Sequence, residues 1–213
     1  MRHYIDSLKD KHKGEDIWII ASGASMDTIS PEFFEGKTTI CVNATYKKYP
    51  ATYIVRKEQA GAETAAEYAN GNGSTLVMSK GDCGSMEKNP AQEGALYFTH
   101  KQNECTSVDL DVIGTEKIVV SWSTITSAMH LAAFMGAKNV LLCGHDCGLI
   151  DGEANYYGYG ERPNGDYETW LSKIEVQSAL VRDRLEEVYG CEIHSLNPWL
   201  NVGLEGHKYE VRT

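Results

Sequence analysis

Short apolar runs recur along the chain and are separated by polar or amphipathic segments. Each run is long enough for a strand but too short for a typical helix. Because most of these runs are apolar throughout, rather than alternating with polar residues, they predict strands that are buried on both faces. The predicted strands are residues 16–22, 38–44, 51–57, 74–80, 115–123, 138–146 and 191–198.

Helical patterns occupy several of the intervals between these runs. Residues 124–137 carry apolar side chains at helical spacing, and Gly136 is a typical C-terminal stop. Residues 167–190 form the longest helical pattern, and residues 58–73 predict a short helix followed by a turn. Strands that alternate with helices predict an α/β fold. We expect a single Rossmann-like domain over residues 1–213, with helices on both faces of a mostly parallel sheet.

Two segments do not follow this alternation. Residues 81–114 are polar and mixed, and they predict no defined element. Residues 148–166 hold five glycines and three tyrosines between a predicted strand and a predicted helix. A loop of this length inside a compact domain is usually functional or disordered. We expect residues 148–166 to form a Gly- and Tyr-rich lid over a bound ligand.

The composition restricts the ligand classes and the compartment. A net charge of −10 at pH 7 argues against a general attraction to nucleic acid or anionic membranes. No apolar run approaches the ~20 residues of a membrane span, and the charged first residues lack the apolar core of a secretory signal. The CxxxC of Cys143 and Cys147 has no second cysteine pair nearby, which argues against structural zinc. We expect a cytoplasmic protein with reduced cysteines and no metal site.

The first candidate for chemistry is the turn "ASGASM", residues 21–26, where side-chain bulk nearly disappears after a predicted strand. Ser22, Gly23 and Ser25 would let a phosphate or a ribose approach the backbone, and the start of a following helix would add partial positive charge. The turn has neither the GxxxxGK[ST] nor the GxGxxG spacing. A tight turn selected for steric reasons alone explains the pattern equally well.

Two further predicted strands end in small or polar residues. Ser123 and Thr124 lie between a strand and a helix, where either is also a suitable N-cap. Gly144, His145 and Asp146 follow the next strand. The carboxyl ends of parallel strands meet at one edge of a sheet, where α/β proteins bind ligands. A lone histidine or aspartate there is more often structural, but three converging strand ends favour a site.

Four segments of the chain together resemble a known family. They read "ASGASM" (21–26), "CVNATY" (41–46), "WSTITSAMHLAAFMGAKNVLLCGHD" (122–146) and "RLEEVYGCEIHSLNP" (184–198), and they cover about a quarter of the chain. This layout resembles the bacterial sialyltransferases of glycosyltransferase family 42. It is also similar to the related domain typified by archaeal 6-hydroxymethylpterin diphosphokinase. Residues 135–146 carry the most specific match, whereas "ASGASM" has alanine where the family usually has proline.

The resemblance implies a nucleotide-binding role for the strand ends. The residues that would hold the phosphate, the ribose, the carboxylate or the base of a donor are Ser22, Gly23, Ser25, Ser123, Thr124, Gly144 and Asp146. Asn43 would hydrogen-bond the ribose or the transferred group. In the sialyltransferases, tyrosines near the lid hydrogen-bond the leaving phosphate.

The corresponding tyrosines lie in the loop of this chain. Tyr156, Tyr157 and Tyr159 occupy the comparable segment, and the sequence leaves open which of them match the family's tyrosines. Arg162, near the end of the loop, would add a charge-assisted contact to the same phosphates.

The chain departs from the sialyltransferases at the general base. The histidine of that family lies just ahead of the long last helix, where this chain reads "NGDYETWLSKIEV". Either a nearby carboxylate, such as Asp166 or Glu168, takes the base role, or His145 takes it, or the chemistry differs. A carboxylate base needs only proximity and a modest pKa shift.

Three functions remain open at this point. The favoured one is a glycosyltransferase that uses a cytidine or uridine nucleotide sugar, displaces the nucleotide directly and needs no cofactor. The second is a Mg²⁺-dependent diphosphotransferase, whose metal Asp146, Asp151 and Glu153 would hold. The third is a non-catalytic nucleotide-binding protein. The implied partners are a nucleotide or nucleotide-sugar donor and a small-molecule or glycan acceptor, and the charge is compatible with a homo-oligomer.

Overall fold

An eight-stranded sheet forms the centre of the protein. The computed structural model describes residues 3–81, 90–100, 108–160 and 167–196. The strands are β1 (His3–Tyr4), β2 (Asp16–Ile20), β3 (Thr38–Val42), β4 (Tyr53–Arg56), β5 (Thr75–Ser79), β6 (Leu96–Phe98), β7 (Asn139–Cys143) and β8 (Glu192–Ser195).

All neighbouring strands of this sheet run parallel, in the order β1-β6-β5-β4-β3-β2-β7-β8. β2 lies between β3 and β7, and its first residue, Asp16, is in register with Asn139 of β7. A parallel sheet needs crossover connections, which helices and loops supply here. The protein is therefore a single α/β domain with a Rossmann-like fold, as the sequence predicts.

The described helices cover both faces of the sheet. They are α1 (Ala62–Asn72), α2 (Thr124–Phe134) and α3 (Tyr167–Tyr189). Ile17 and Ile19 of β2 belong to the core cluster that contains α2 and α3, whereas Ile20 belongs to the cluster that contains α1. This alternation follows from the two-residue period of a strand. None of the described helices is long and apolar enough to cross a membrane.

The prediction of a strand over residues 115–123 is wrong, because this segment is irregular; residues 118–121 within it are buried. Its backbone bonds go to several elements instead of to one neighbouring strand. The N–H of Ile118 donates to the carbonyl of Thr99, 2.9 Å away. The N–H of Val119 donates to Nδ1 of His130, and its carbonyl accepts from Oγ of Ser127. The segment therefore underlies α2 without joining the sheet.

Two short strands are not predicted from the sequence, and one predicted helix start has a different structure. β1 and β6 were not predicted; they have two and three residues and pair with each other at one edge of the sheet. The segment that follows β2 was expected to begin a helix with a useful dipole. It is a five-residue 3₁₀-helix, Ala24–Thr28, which is too short to contribute one.

Candidate functional site

A cavity of about 520 Å³ lies at the carboxyl ends of β2, β3, β4 and β7. This volume is typical of small-molecule sites. The cavity wall also includes the start of α2, the loop that follows β7 and the first turns of α3. The residues predicted from the sequence that line it are Ser22, Gly23, Asn43, Ser123, Thr124, Gly144, His145, Asp146 and Tyr159.

The two glycines of this wall are required by the contact between two strand ends. The N–H of Gly23, after β2, donates to the carbonyl of Gly144, after β7, over 2.8 Å. A Cβ atom on Gly23 would lie 2.4 Å from that carbonyl oxygen and 2.5 Å from Cγ of Asp146. Gly144 has φ +70°, and a Cβ atom there would lie 2.4 Å from Cγ of Met26. Steric packing therefore accounts for the loss of side-chain bulk in this turn.

Asp146 binds the "ASGASM" turn through both of its carboxylate oxygens. Oδ2 accepts from the backbone N–H of Ser25 over 2.8 Å, and Oδ1 accepts from the Ser25 hydroxyl. Burial raises the pKa of Asp146, whereas the two hydrogen bonds from Ser25 lower it. Ser25 itself is buried behind the wall and does not line the cavity. The pair fixes the end of β2 against the end of β7.

His145 and Cys147 form a contact on the cavity wall. Sγ of Cys147 lies 3.4 Å from Nε2 of His145. Burial lowers the pKa of His145 to about 4. Burial is also the largest of the effects that raise the pKa of the Cys147 thiol. Both groups are therefore neutral at pH 7. The imidazole is a weak base in this environment.

Asn43 and Thr124 join the end of β3 to the start of α2. Asn43 adopts φ +56°, a left-handed conformation that asparagine tolerates better than most residues. Its Oδ1 accepts from Oγ1 of Thr124 over 3.2 Å. Ser123 is the N-cap of α2, because its Oγ accepts from the N–H of Ile125. The prediction that Ser123 is a suitable N-cap is thus confirmed. Asn43, Ser123 and Thr124 all line the cavity as well.

The three tyrosines of the loop have three different environments. Tyr156 is 4% exposed and packs edge-on against Tyr49 and Tyr159, so it belongs to the core and not to the cavity wall. Its N–H donates to the carbonyl of Ser22. Tyr157 is 90% exposed and does not line the cavity. Only Tyr159 of the three lines the cavity. The predicted roles of Tyr156 and Tyr157 beside a ligand are therefore not supported in this conformation.

The other predicted residues either are not described or lie outside the cavity lining. Arg162 and Asp166 lie outside the described residues, as do all of residues 161–166 of the predicted lid, and the side chain of Glu168 is likewise not described. Asp151 and Glu153 are exposed and lie outside the cavity lining. Within the described ranges, no group of three histidine, cysteine or acidic residues is arranged to hold a metal ion.

Other residues of the wall are not predicted from the sequence. Arg56 is 2% exposed and lines the cavity at the end of β4, with Nη2 bonded to the carbonyl of Ala60. Its signal was available: arginine ends the otherwise apolar strand "YIVR". Glu58, Trp122 and Trp170 also line the cavity. Nothing in the local sequence distinguishes these three from surface or core residues.

Comparisons with known proteins leave the family of this chain open. The chain matches no protein-family model, and no curated protein matches it. Among solved structures it is similar to the epimerase Mth375 from the thermophilic methanogen Methanothermobacter thermautotrophicus, with a TM-score of 0.32 and 9% sequence identity. That similarity covers 91% of this chain and 55% of the epimerase chain, so this chain spans about half the length of that protein.

Proposed function

We propose that the protein is a nucleotide-sugar-dependent glycosyltransferase of the sialyltransferase-like type. One observation carries the proposal: residues that the sequence singled out in separate segments converge on one cavity at the carboxyl edge of a parallel sheet. Ligands of α/β proteins bind at this edge. The cavity volume of about 520 Å³ suits a ligand of nucleotide size.

The polar groups of the wall suit the parts of a nucleotide. Oδ1 of Asn43 is occupied by Thr124, so the amide nitrogen of Asn43 is the atom that would donate to a ribose or sugar hydroxyl. The hydroxyls of Ser22 and Ser123 lie on the same wall. In this proposal Tyr159 takes the role of the tyrosine that donates to the leaving phosphate.

The proposed reaction is a direct displacement at the sugar carbon. The oxygen of an acceptor hydroxyl forms a bond to that carbon, the bond from the carbon to the nucleotide phosphate oxygen breaks, and its electron pair leaves with the phosphate. The proton of the acceptor hydroxyl passes to a base. His145 is a weak base, and both oxygens of Asp146 accept from Ser25. Glu58, whose side chain is 44% exposed and which lines the cavity, is the base that we propose.

The diphosphotransferase alternative has less support from the positions of its residues. It requires carboxylates that hold Mg²⁺ against a triphosphate. Of the three carboxylates predicted for this role, Asp151 and Glu153 lie outside the cavity lining, and Asp146 is bonded to Ser25. The glycosyltransferase proposal needs no such arrangement.

A nucleotide panel tests the proposal. Thermal unfolding is measured with CMP, UMP, GDP and ATP; a nucleotide at a hundred times its Kd should add about 2.7 kcal/mol to the free energy of unfolding. Release of nucleotide from CMP-, UDP- and GDP-sugars is then followed with Mg²⁺ and with EDTA. We expect release from one donor class in both buffers, and a much slower release by Glu58→Gln. Magnesium-dependent formation of AMP from ATP and 6-hydroxymethylpterin would establish the alternative instead, and binding without turnover would leave a non-catalytic protein.

A further inference from the structure

One side of the cavity wall is apolar and aromatic. The segment that leads into α2 and the first turns of α3 supply it, and each contributes a tryptophan. Both tryptophans are only partly buried and pack against the larger core cluster. The polar residues Ser22, Asn43 and Asp146, by contrast, lie at strand ends. The apolar residues that line the cavity on the helix side are Trp122, Ile125, Trp170, Leu171 and Ile174.

Trp122 is held in position by contacts to α3 and to the segment before it. Its backbone N–H donates to Oε1 of Gln177 over 3.1 Å, and Nζ of Lys173 lies 5.0 Å from the centroid of its ring. The preceding residue, Ser121, is fully buried, and its carbonyl accepts from Nζ of Lys57. These contacts restrain Trp122 before a ligand arrives, and a preorganised group loses little conformational entropy on binding.

The same contacts bring Trp122 to the face of α3 that carries Trp170. Residues three or four positions apart on a helix share a face. Trp170, Lys173 and Gln177 therefore follow one another along one face of α3, and the last two of them contact Trp122. Trp170 is one turn before Lys173 on this face. The two tryptophans thus belong to one continuous region of the wall.

The chemistry of this region suits a planar heterocycle better than a sugar. The α3 residues that line the cavity, Trp170, Leu171 and Ile174, have no acceptor in their side chains for sugar hydroxyls, and a hydroxyl that leaves water without a partner is costly. A heterocyclic base has apolar faces that stack on an indole, and its polar atoms lie at its edge. Ser123 and Thr124 line the cavity next to this region and carry hydroxyls that suit such an edge.

We propose that Trp122 and Trp170 form a stacking subsite for the heterocyclic base of the nucleotide, so that tight binding requires an aromatic base. The inference rests on the proposed function because it concerns the same cavity. It adds two specificity-determining residues that neither the strand ends nor the resemblance implied. Stacking discriminates little among bases, since every base has a π-face, so this subsite selects the class of ligand.

The test compares ligands with and without a base by calorimetry. The probes are the nucleotide that binds best in the panel, ribose 5-phosphate, which lacks the base, and 6-hydroxymethylpterin, which is a free heterocycle. Trp122→Ala and Trp170→Ala should each weaken the nucleotide by about five- to a hundredfold, the range found when a stacked ring is removed. Neither variant should change the affinity for ribose 5-phosphate by more than about twofold. Nucleotide, but not ribose 5-phosphate, should quench the tryptophan fluorescence of the wild-type protein.

Three further variants keep the test decisive. If Trp122→Ala does not fold, Trp122→Leu keeps apolar bulk without the π-face and should weaken the nucleotide in the same way. Trp122→Phe keeps a π-face and should restore most of the affinity. Trp18→Leu is the matched control, because Trp18 is also partly buried but packs on the other core cluster and lies outside the cavity lining; it should change no affinity by more than about twofold.

The outcomes separate this inference from the proposed function. Binding of 6-hydroxymethylpterin that depends on Trp122, without binding of any nucleotide, would uphold the stacking subsite and remove the glycosyltransferase proposal. Unchanged nucleotide affinity in the Trp122 and Trp170 variants, or an equal loss for nucleotide and ribose 5-phosphate, would overturn the subsite and leave nucleotide binding by the wild-type protein intact. Failure of the wild-type protein to bind any of the three probes would overturn both.

Discussion

Mild acidification should destabilise this protein through two buried imidazoles. His130 is fully buried between the 118–121 segment and α3: Nδ1 accepts from the N–H of Val119, and Nε2 lies 3.0 Å from the hydroxyl of Tyr189. Burial lowers the pKa of His130 to about 3 and that of His145 to about 4. Both imidazoles therefore stay neutral in the folded protein at a pH at which the unfolded chain takes up protons.

The size of the effect follows from linkage. An unfolded histidine has a pKa of about 6.5, so between pH 7.5 and pH 5.5 each buried imidazole should cost about 1.4 kcal/mol of unfolding free energy. The two together should cost about 3 kcal/mol, and the loss should continue until the pH reaches the folded pKa values. Asp146 acts in the opposite sense, because burial raises its pKa and protonation then favours the folded state.

Urea denaturation at pH 7.5 and pH 5.5, followed by circular dichroism, measures this loss. His130→Asn keeps an acceptor for the N–H of Val119 and removes the titrating group, so it should reduce the difference between the two pH values by about 1.4 kcal/mol. His194→Asn, at a half-exposed imidazole on β8, is the matched control. If the parent protein were equally stable at both pH values, or if His130→Asn showed the same loss as the parent, the explanation by buried imidazoles would be wrong.

Three further predictions concern the candidate site. Gly23→Ala should destabilise the protein by about 1–3 kcal/mol, because the new Cβ would overlap a backbone carbonyl. Gly71→Ala, in α1, places its Cβ in open space and should stabilise the protein by about 0.5–1 kcal/mol. Urea denaturation that ranked the two variants the other way would contradict the packing of the strand ends. Asn43→Ala should weaken nucleotide binding by about 1–3 kcal/mol in calorimetry, and an unchanged affinity would remove the end of β3 from the site. Tyr156→Ala should lower the free energy of unfolding by about 3 kcal/mol. Tyr159→Phe should change the free energy of unfolding by under about 1 kcal/mol and weaken nucleotide binding. A large loss of stability in Tyr159→Phe and none in Tyr156→Ala would refute the distinction between core and wall tyrosines.

The sequence predicted those strands whose apolar pattern and whose position in the sheet have one cause, burial on both faces. β2, β3, β4, β5 and β7 are buried on both faces, and burial on both faces is what an apolar run reports. Residues 118–120 of the predicted strand 115–123 are also apolar and buried, but the backbone bonds of this segment are made to a histidine ring, a serine and Thr99. An apolar pattern records burial and not the hydrogen-bond partner, so it could not exclude a strand there.

The site was predictable in outline, and its individual residues were less so. The rule that strand ends converge identified Gly144 and the "ASGASM" turn as parts of a site, and the resemblance implied Asn43; Gly144, Asn43, Ser22 and Gly23 all line the cavity. Tyr156 and Tyr159 lie three positions apart in one loop. The backbone N–H of Tyr156 donates to the carbonyl of Ser22, and the Tyr156 ring is buried in the core. Such a tertiary contact has no local sequence signal. Arg56 was overlooked because a charged residue at the end of a strand usually reaches solvent.

The central position of β2 has a consequence for how the chain is made. β2 is near the beginning of the sequence, yet one of its two neighbours is β7, and the pair that joins Asp16 to Asn139 closes a loop of 123 residues. During synthesis, one side of β2 therefore stays without its partner until more than half of the chain has left the ribosome. Pairings of such long range are slow, and the exposed strand is open to intermolecular pairing in the interval. Truncation before β7 should therefore give an aggregating fragment rather than a smaller domain, and expression of residues 1–137 followed by sedimentation would show it.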